Sequence, residues 1–194
     1  RGADSLNMLI TAAFDPPLEA EFEVDFSHKS SSFIGPGVTF GVRNKNFLRG
    51  GEHFSIRLNG SYEWQTGNTS SQLNASTINS YEVGVTSSLM FPRMVAPRFI
   101  PRSKKYESRT TFQLGANLLN RPNFFTMLSA NASVTYDFNS SGYSAHSLTP
   151  FRLTYVNLLR KTTEFEQLMA DNRSIRMSFQ NQFIPAMSYT YTYD

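Results

Sequence analysis

Between residues 18 and 26 apolar and acidic side chains alternate without a break. Leu18, Ala20, Phe22, Val24 and Phe26 form one set, and Glu19, Glu21, Glu23 and Asp25 the other. A β-strand sends the two sets to opposite faces, whereas a helix would scatter both around its circumference. The segment is therefore expected to be a strand with one greasy face and one charged face.

The same period returns along the whole chain. A second run sets Val38, Phe40 and Val42 against Thr39, Gly41 and Arg43, and a third sets Phe54, Ile56, Leu58, Tyr62 and Trp64 against Ser55, Arg57, Asn59, Ser61 and Glu63. A fourth, 81–91, carries Tyr81, Val83, Val85, Leu89 and Phe91 on one face. A fifth places Phe112, Leu114, Ala116 and Leu118 opposite Thr111, Gln113, Gly115 and Asn117. In the sixth, Leu128, Ala130, Ala132, Val134, Tyr136 and Phe138 alternate with Ser129, Asn131, Ser133, Thr135 and Asp137. The seventh, 149–159, is less regular, and the eighth ends in Met187, Tyr189, Tyr191 and Tyr193 with Ser188, Thr190 and Thr192 between them.

Most of these runs are about 9 to 12 residues long, near the length a tilted strand needs to cross a bilayer. Globular strands are shorter, about five or six residues. The polar sets hold Ser, Thr, Asn, Gln, Glu and Arg, which suit a wet lumen better than a dry core. The expected fold is thus all-β: about eight antiparallel transmembrane β-barrel strands. A soluble β-sandwich or an extracellular β-domain is the alternative. The mean hydropathy of −0.35 does not separate the two, because lipid-facing and lumen-facing residues cancel in any window. No apolar run approaches the roughly 18 to 20 residues of a spanning helix.

The connections suggest sidedness. Segment 65–80 is long, polar and rich in Ser, Thr and Asn; 162–178 is polar with a helical stretch at 164–171; 44–52 is short and turn-like. Segment 92–107 is basic through Arg93, Arg98, Arg102, Lys104 and Lys105. Pro92, Pro97 and Pro101 interrupt it, which places it outside the sheet. If 65–80 and 162–178 face outward, 44–52 and 92–107 share the periplasmic side, where 92–107 is unusually long.

Little in the chain suggests bond chemistry. The absence of Cys removes disulfides, thiol nucleophiles and Cys-rich metal sites. His28, His53 and His146 lie in or beside separate turns without ligand spacing, so neither a metal nor another cofactor is expected. The net charge of +3 is mild and forms no nucleic-acid stripe. The acidic row of 18–26 reads as a solvated lumen face offset by Arg43 and Arg57 on nearby strands, or alternatively as a cation-binding ladder. Asn-x-Ser/Thr triplets such as Asn74-Ala75-Ser76 are common by chance. The Tyr189, Tyr191 and Tyr193 stripe, together with Phe124 and Phe125, suggests an interfacial aromatic girdle, with ordinary sheet packing as the alternative.

The turn Asn44-Lys45-Asn46-Phe47-Leu48-Arg49-Gly50-Gly51-Glu52 resembles the Asn-x-Asn-Leu-Phe-x-Gly-x-Glu turn between the second and third strands of BamA- and TamA-type outer-membrane barrels, with Phe47 and Leu48 in reversed order. Its surroundings are similar: an acidic alternating strand before it, Gly35-Pro36-Gly37 opening the next strand, and Leu58-Asn59-Gly60 after it. The stretch Ser5-Leu6-Asn7-Met8-Leu9-Ile10 resembles the last strand of a periplasmic POTRA domain. The Arg121-Pro122 turn, the Ser-rich strand after it and the Tyr189–Tyr193 run resemble the TamA-like surface antigens of Bacteroidetes. The family's Val-Arg-Gly-Phe motif, found in the second half of its barrel, is absent.

This resemblance implies that 1–17 end a POTRA-like periplasmic segment and that 18–194 form the first half of a sixteen-stranded barrel in the bacterial outer membrane. The opening Arg1-Gly2-Ala3-Asp4 then reads as a processing end. The implied function is assembly or translocation of outer-membrane proteins without enzymatic chemistry. Its partners would be the lipid bilayer, client outer-membrane strands and accessory periplasmic or lipoprotein subunits. The implied sites are a lateral-gate strand (Glu19, Ala20, Glu21, Phe22, Glu23, Val24 and Asp25) and the periplasmic turn residues Asn44, Asn46, Gly50 and Glu52. A well-paired wall strand at 18–26, and a passive pore tuned by the acidic row, remain the alternatives.

Overall fold

A computed structural model describes residues 8–9, 11, 16–28, 33–65, 79–95, 106–122 and 124–193. The chain runs β1 (Leu18–His28), β2 (Phe33–Asn44), β3 (His53–Gln65), β4 (Asn79–Phe91), β5 (Ser108–Arg121), β6 (Phe125–Ser141), β7 (Ser144–Lys161), α1 (Thr163–Asp171), α2 (Arg173–Ser178) and β8 (Gln182–Tyr193). The strands form one antiparallel sheet in sequence order, with β1 and β8 at its two edges. Each alternating run of the sequence is a strand, and each strand extends beyond the run that announced it.

The register explains why alternation predicted the sheet so well. Phe22 pairs with Phe40, Phe40 with Leu58, Leu58 with Val85 and Val85 with Ala116; the row then continues through Ala130 and Tyr155 to Phe183. Eight strands thus contribute one apolar row to one face. A one-residue slip anywhere would turn a whole strand's apolar set to the other side. Much of this face lies open: Phe22 is 71% exposed, Leu114 63% and Phe183 64%.

The opposite, polar face is the crowded one. Gly37 lies opposite Asp25 and Gly115 opposite Asn131, while Gly84 has Asn59 and Asn117 on either side. A Cβ at Gly37 would stand 2.5 Å from an Asp25 carboxylate oxygen, and one at Gly115 would stand 2.7 Å from Asn131 Oδ1. The Arg121 guanidinium reaches the Phe33 ring at 4.9 Å, although β5 and β2 are three strands apart. On a flat sheet that separation is about 14 Å. Side chains standing off one face meet over such a span only where the face is concave. The sheet therefore curls toward its polar side.

Each end of the sheet is partly covered. At the end where β7 meets β8, α1 and α2 fold over the polar face. There Phe165 and Met169 bury Phe125 beside Leu119, Met127 and Leu158. This corrects the expectation that Phe124 and Phe125 join an aromatic girdle: Phe125 belongs to the polar-face side and is roofed by helix, and Phe124 packs against the same cluster. The expected single helix is two, because Asn172 ends α1 and caps α2, its Oδ1 accepting from the Ser174 and Ile175 amides. At the other end a strap of residues 92–95 crosses the apolar face. Met94 is buried against Tyr136, and Thr110 Oγ1 pins the strap by donating to the Arg93 carbonyl (3.0 Å) and accepting from the Val95 amide (3.1 Å).

The connections 44–52 and 92–107 leave from one end of the sheet, and 65–80 and α1–α2 from the other, as expected. Residues 66–78, including the Asn74-Ala75-Ser76 triplet, lie outside the described residues. So do Arg98, Arg102, Lys104 and Lys105, and the POTRA-like stretch apart from Met8 and Leu9.

Candidate functional site

β1 combines a free edge with an unbroken ladder. All eleven of its residues pair in continuous register with β2, from Leu18↔Asn44 to His28↔Ile34. It contains no proline and no register slip, so its outer row of peptide groups is regular and open to another strand. Ala20, Phe22 and Val24 stand on the apolar face, and Glu19, Glu21, Glu23 and Asp25 on the concave polar face. The structure thus gathers the seven predicted gate residues on one edge strand.

β8, the other edge, is less inviting. Pro185 leaves one position of β8 without an amide donor, and the neighbouring β7 slips in register between Thr149 and Arg152. A proline is one of the devices that natural sheets use to blunt an edge.

The acidic row is only half neutralised. Glu19 takes Lys45 Nζ at 2.5 Å and Arg43 Nη1 at 3.9 Å. Glu21 takes Arg57 Nη2 at 3.5 Å, although Arg57 belongs to β3, two strands away. The intervening residue is Gly41, which pairs with both Glu21 and Arg57 and offers no side chain to block the reach. Glu23 and Asp25 make no ion pair among the described residues. Glu19, Glu21, Arg43, Arg57 and Thr86 line an open groove of about 280 Å³. The pairs themselves are solvent-exposed and contribute little to stability; their effect is on the charge that the edge presents.

No family model, curated protein or solved structure matches this chain.

The four turn residues singled out by sequence form one hydrogen-bonded unit. Asn44 Oδ1 accepts from the Asn46 amide at 2.9 Å, and Asn46 Oδ1 accepts from Gly51 at 3.0 Å. Glu52, itself buried, accepts from the Gly50 amide at 2.9 Å and from Arg93 Nη2 at 3.2 Å. Gly51 has a φ of 78°, which favours glycine; Arg49, at 65°, takes the same left-handed region without that advantage. Phe47 closes the turn by stacking on Phe54 at 4.6 Å. The motif is thus a rigid clip, and through Glu52 it is tied to the strap. Arg93 had been visible only as one charge in a basic stretch. Its partner lies 41 residues away in sequence, and no local pattern signals that pair.

The three histidines stay apart, and no group able to hold a metal occurs among the described residues. His146 stacks on Phe138 at 4.8 Å, and its ring nitrogens meet Ser140 Oγ and Tyr189 Oη, each at 2.8 Å. Tyr189, Tyr191 and Tyr193 remain exposed beside it on the apolar face.

Proposed function

We propose that the chain is a wall segment of a bacterial outer-membrane β-barrel, and that it assists assembly or translocation of other outer-membrane proteins by templating their strands on β1. The observation that carries this reading is the asymmetry of the two edges: β1 is regular and free of proline, whereas β8 carries Pro185 and lies against a β7 whose register slips. Backbone pairing at an open edge supplies affinity without demanding one sequence, which suits a protein that handles many clients.

The bilayer supplies the rest of the logic. In lipid, backbone polar groups must pair internally, and exposed apolar side chains become the favoured surface. The continuous row from Phe22 to Phe183 faces acyl chains on this reading, and the curled polar face lines a wet lumen. The resemblance of the Asn44, Asn46, Gly50 and Glu52 turn to BamA- and TamA-type barrels supports the same assignment. No cofactor is involved; the partners are lipid, client strands and accessory periplasmic or lipoprotein subunits.

A photo-cross-linking residue at Phe22, on the free edge, tests the reading in outer membranes. Client strands are expected to cross-link there and not at Phe40, which is in the same row but one strand inward. Equal or absent cross-linking at both positions would overturn it. The polar groove beside Glu19 and Glu21 favours a second reading, a passive pore. Steady single-channel conductance altered by Glu21→Gln, without cross-linking at Phe22, would select that reading.

A further inference from the structure

Resting on the templating reading, we infer that the unpaired carboxylates of Glu23 and Asp25 select, among strands arriving at the β1 edge, those carrying basic residues on their lumen-facing side. A strand that pairs with β1 places the residue opposite Glu23 on the same concave face, about 5 Å away, and the residue opposite Asp25 two positions along. At Glu19 and Glu21 the charge is already met from within by Lys45, Arg43 and Arg57. At Glu23 and Asp25 no ion pair occurs among the described residues.

The geometry keeps these two carboxylates available. Thr39 and Gly37 are their partners on β2, so neither faces a cation across its own ladder. Gly37 offers no side chain, and the Asp25 carboxylate lies over it. Arg57 is satisfied at Glu21, one row closer to the turn. The edge therefore has two zones: a neutralised half near the 44–52 clip, and an anionic half near His28.

The anionic half acts by repulsion as well as attraction. An open edge with an apolar outer face would accept any alternating strand, including a second copy of β1. Like charges directly opposite are unfavourable, so a β1-to-β1 pairing that aligned two acidic rows is discouraged. A partner with Lys or Arg at two alternate lumen positions and apolar residues between them matches both faces of β1.

The test uses the full-length protein in lipid vesicles, with a photo-cross-linker at Phe22, and three soluble-tagged strand peptides. The peptides share their apolar positions and carry Lys, Ser or Glu at the two lumen positions. Two cross-strand charge pairs of ordinary strength predict roughly fivefold to tenfold more cross-linking of the Lys peptide than of the Ser peptide, with the Glu peptide weakest. Glu23→Gln combined with Asp25→Asn should bring the three peptides together, and high salt should do the same to the parent protein. Arg109→Gln, which breaks an exposed ion pair with Asp137 in the middle of the sheet, should leave the ranking intact. Equal cross-linking of all three peptides to the parent protein would overturn the selectivity while leaving templating in place. Failure of every peptide to cross-link would instead overturn the templating on which it rests.

Discussion

Replacing Gly35 by alanine tests the curled geometry at one atom. A Cβ there would overlap the Tyr62 carbonyl oxygen and lie 2.8 Å from Glu63 Cα and 2.9 Å from the Tyr62 carbonyl carbon. Carbon atoms in contact settle about 3.5 to 4.0 Å apart. β2 and β3 would thus have to part by roughly 0.7 Å or more, against an ordinary strand spacing of about 4.8 Å. The obstacle is backbone, so no side-chain rotation relieves it. The expected cost is about 3 kcal/mol, the upper end of the overpacking range. Gly60 is the control: its added Cβ would meet only Val38 Cγ2 at 3.9 Å and the Glu82 carbonyl oxygen at 4.0 Å, which are ordinary contacts. Gly60→Ala should be neutral or stabilise by up to about 1 kcal/mol, through the unfolded state. Trp64 is the sole tryptophan and pairs with Ile34 beside the perturbed site, so its fluorescence reports urea unfolding of the vesicle-folded protein. A lowered midpoint for Gly35→Ala alone supports the packing argument. Equal midpoints for the two variants would refute it.

Other perturbations probe the remaining devices. Glu52→Ala leaves the Gly50 amide and Arg93 without their shared acceptor, and should cost about 1 to 3 kcal/mol; faster tryptic cleavage at Lys45 or Arg49 is the expected sign, and an unchanged rate would contradict the clip. Phe165→Ala removes the centre of the helical roof and should cost about 3 to 5 kcal/mol locally. Hydrogen exchange across α1 and α2 should rise sharply while β1–β3 stay protected; unchanged exchange in the helices would show that the roof is held otherwise. Arg57→Met breaks only an exposed pair, and a shift beyond about 1 kcal/mol in unfolding free energy would mean that the pair matters more than its exposure allows.

Strands were legible in the sequence because the sheet is long, meandering and two-faced. Within β1 to β6 nearly every position obeys a period of two, and strands that are neighbours in sequence are neighbours in space. The ion pairs of Arg43 and Arg57 with the acidic row were foreseeable for the same reason. What escaped was contact without a period. Phe125 looks like any aromatic at a strand start, and nothing local shows that Phe165, forty residues on, folds back over it. Met94 sits in a segment that reads as exposed and basic, yet it caps Tyr136. The irregularity of the seventh strand has a structural origin: β6 and β7 are the longest strands, at 17 and 18 residues, and their register slips three times. Edge status was hidden too, since alternation is identical in an edge strand and a central one.

A wall with lipid on its apolar face and water on its concave face can be probed directly, because the sequence holds no cysteine. Single cysteines placed in turn from Leu128 to Phe138 along β6, in protein reconstituted into vesicles, should show a two-residue rhythm. Ser129, Asn131, Ser133 and Thr135 positions should react with a water-soluble maleimide. Leu128, Ala130, Ala132 and Val134 positions should resist it, and fluorophores attached there should be quenched by a lipid-borne quencher. Uniform maleimide reactivity along β6, with no quenching from the lipid, would contradict the account.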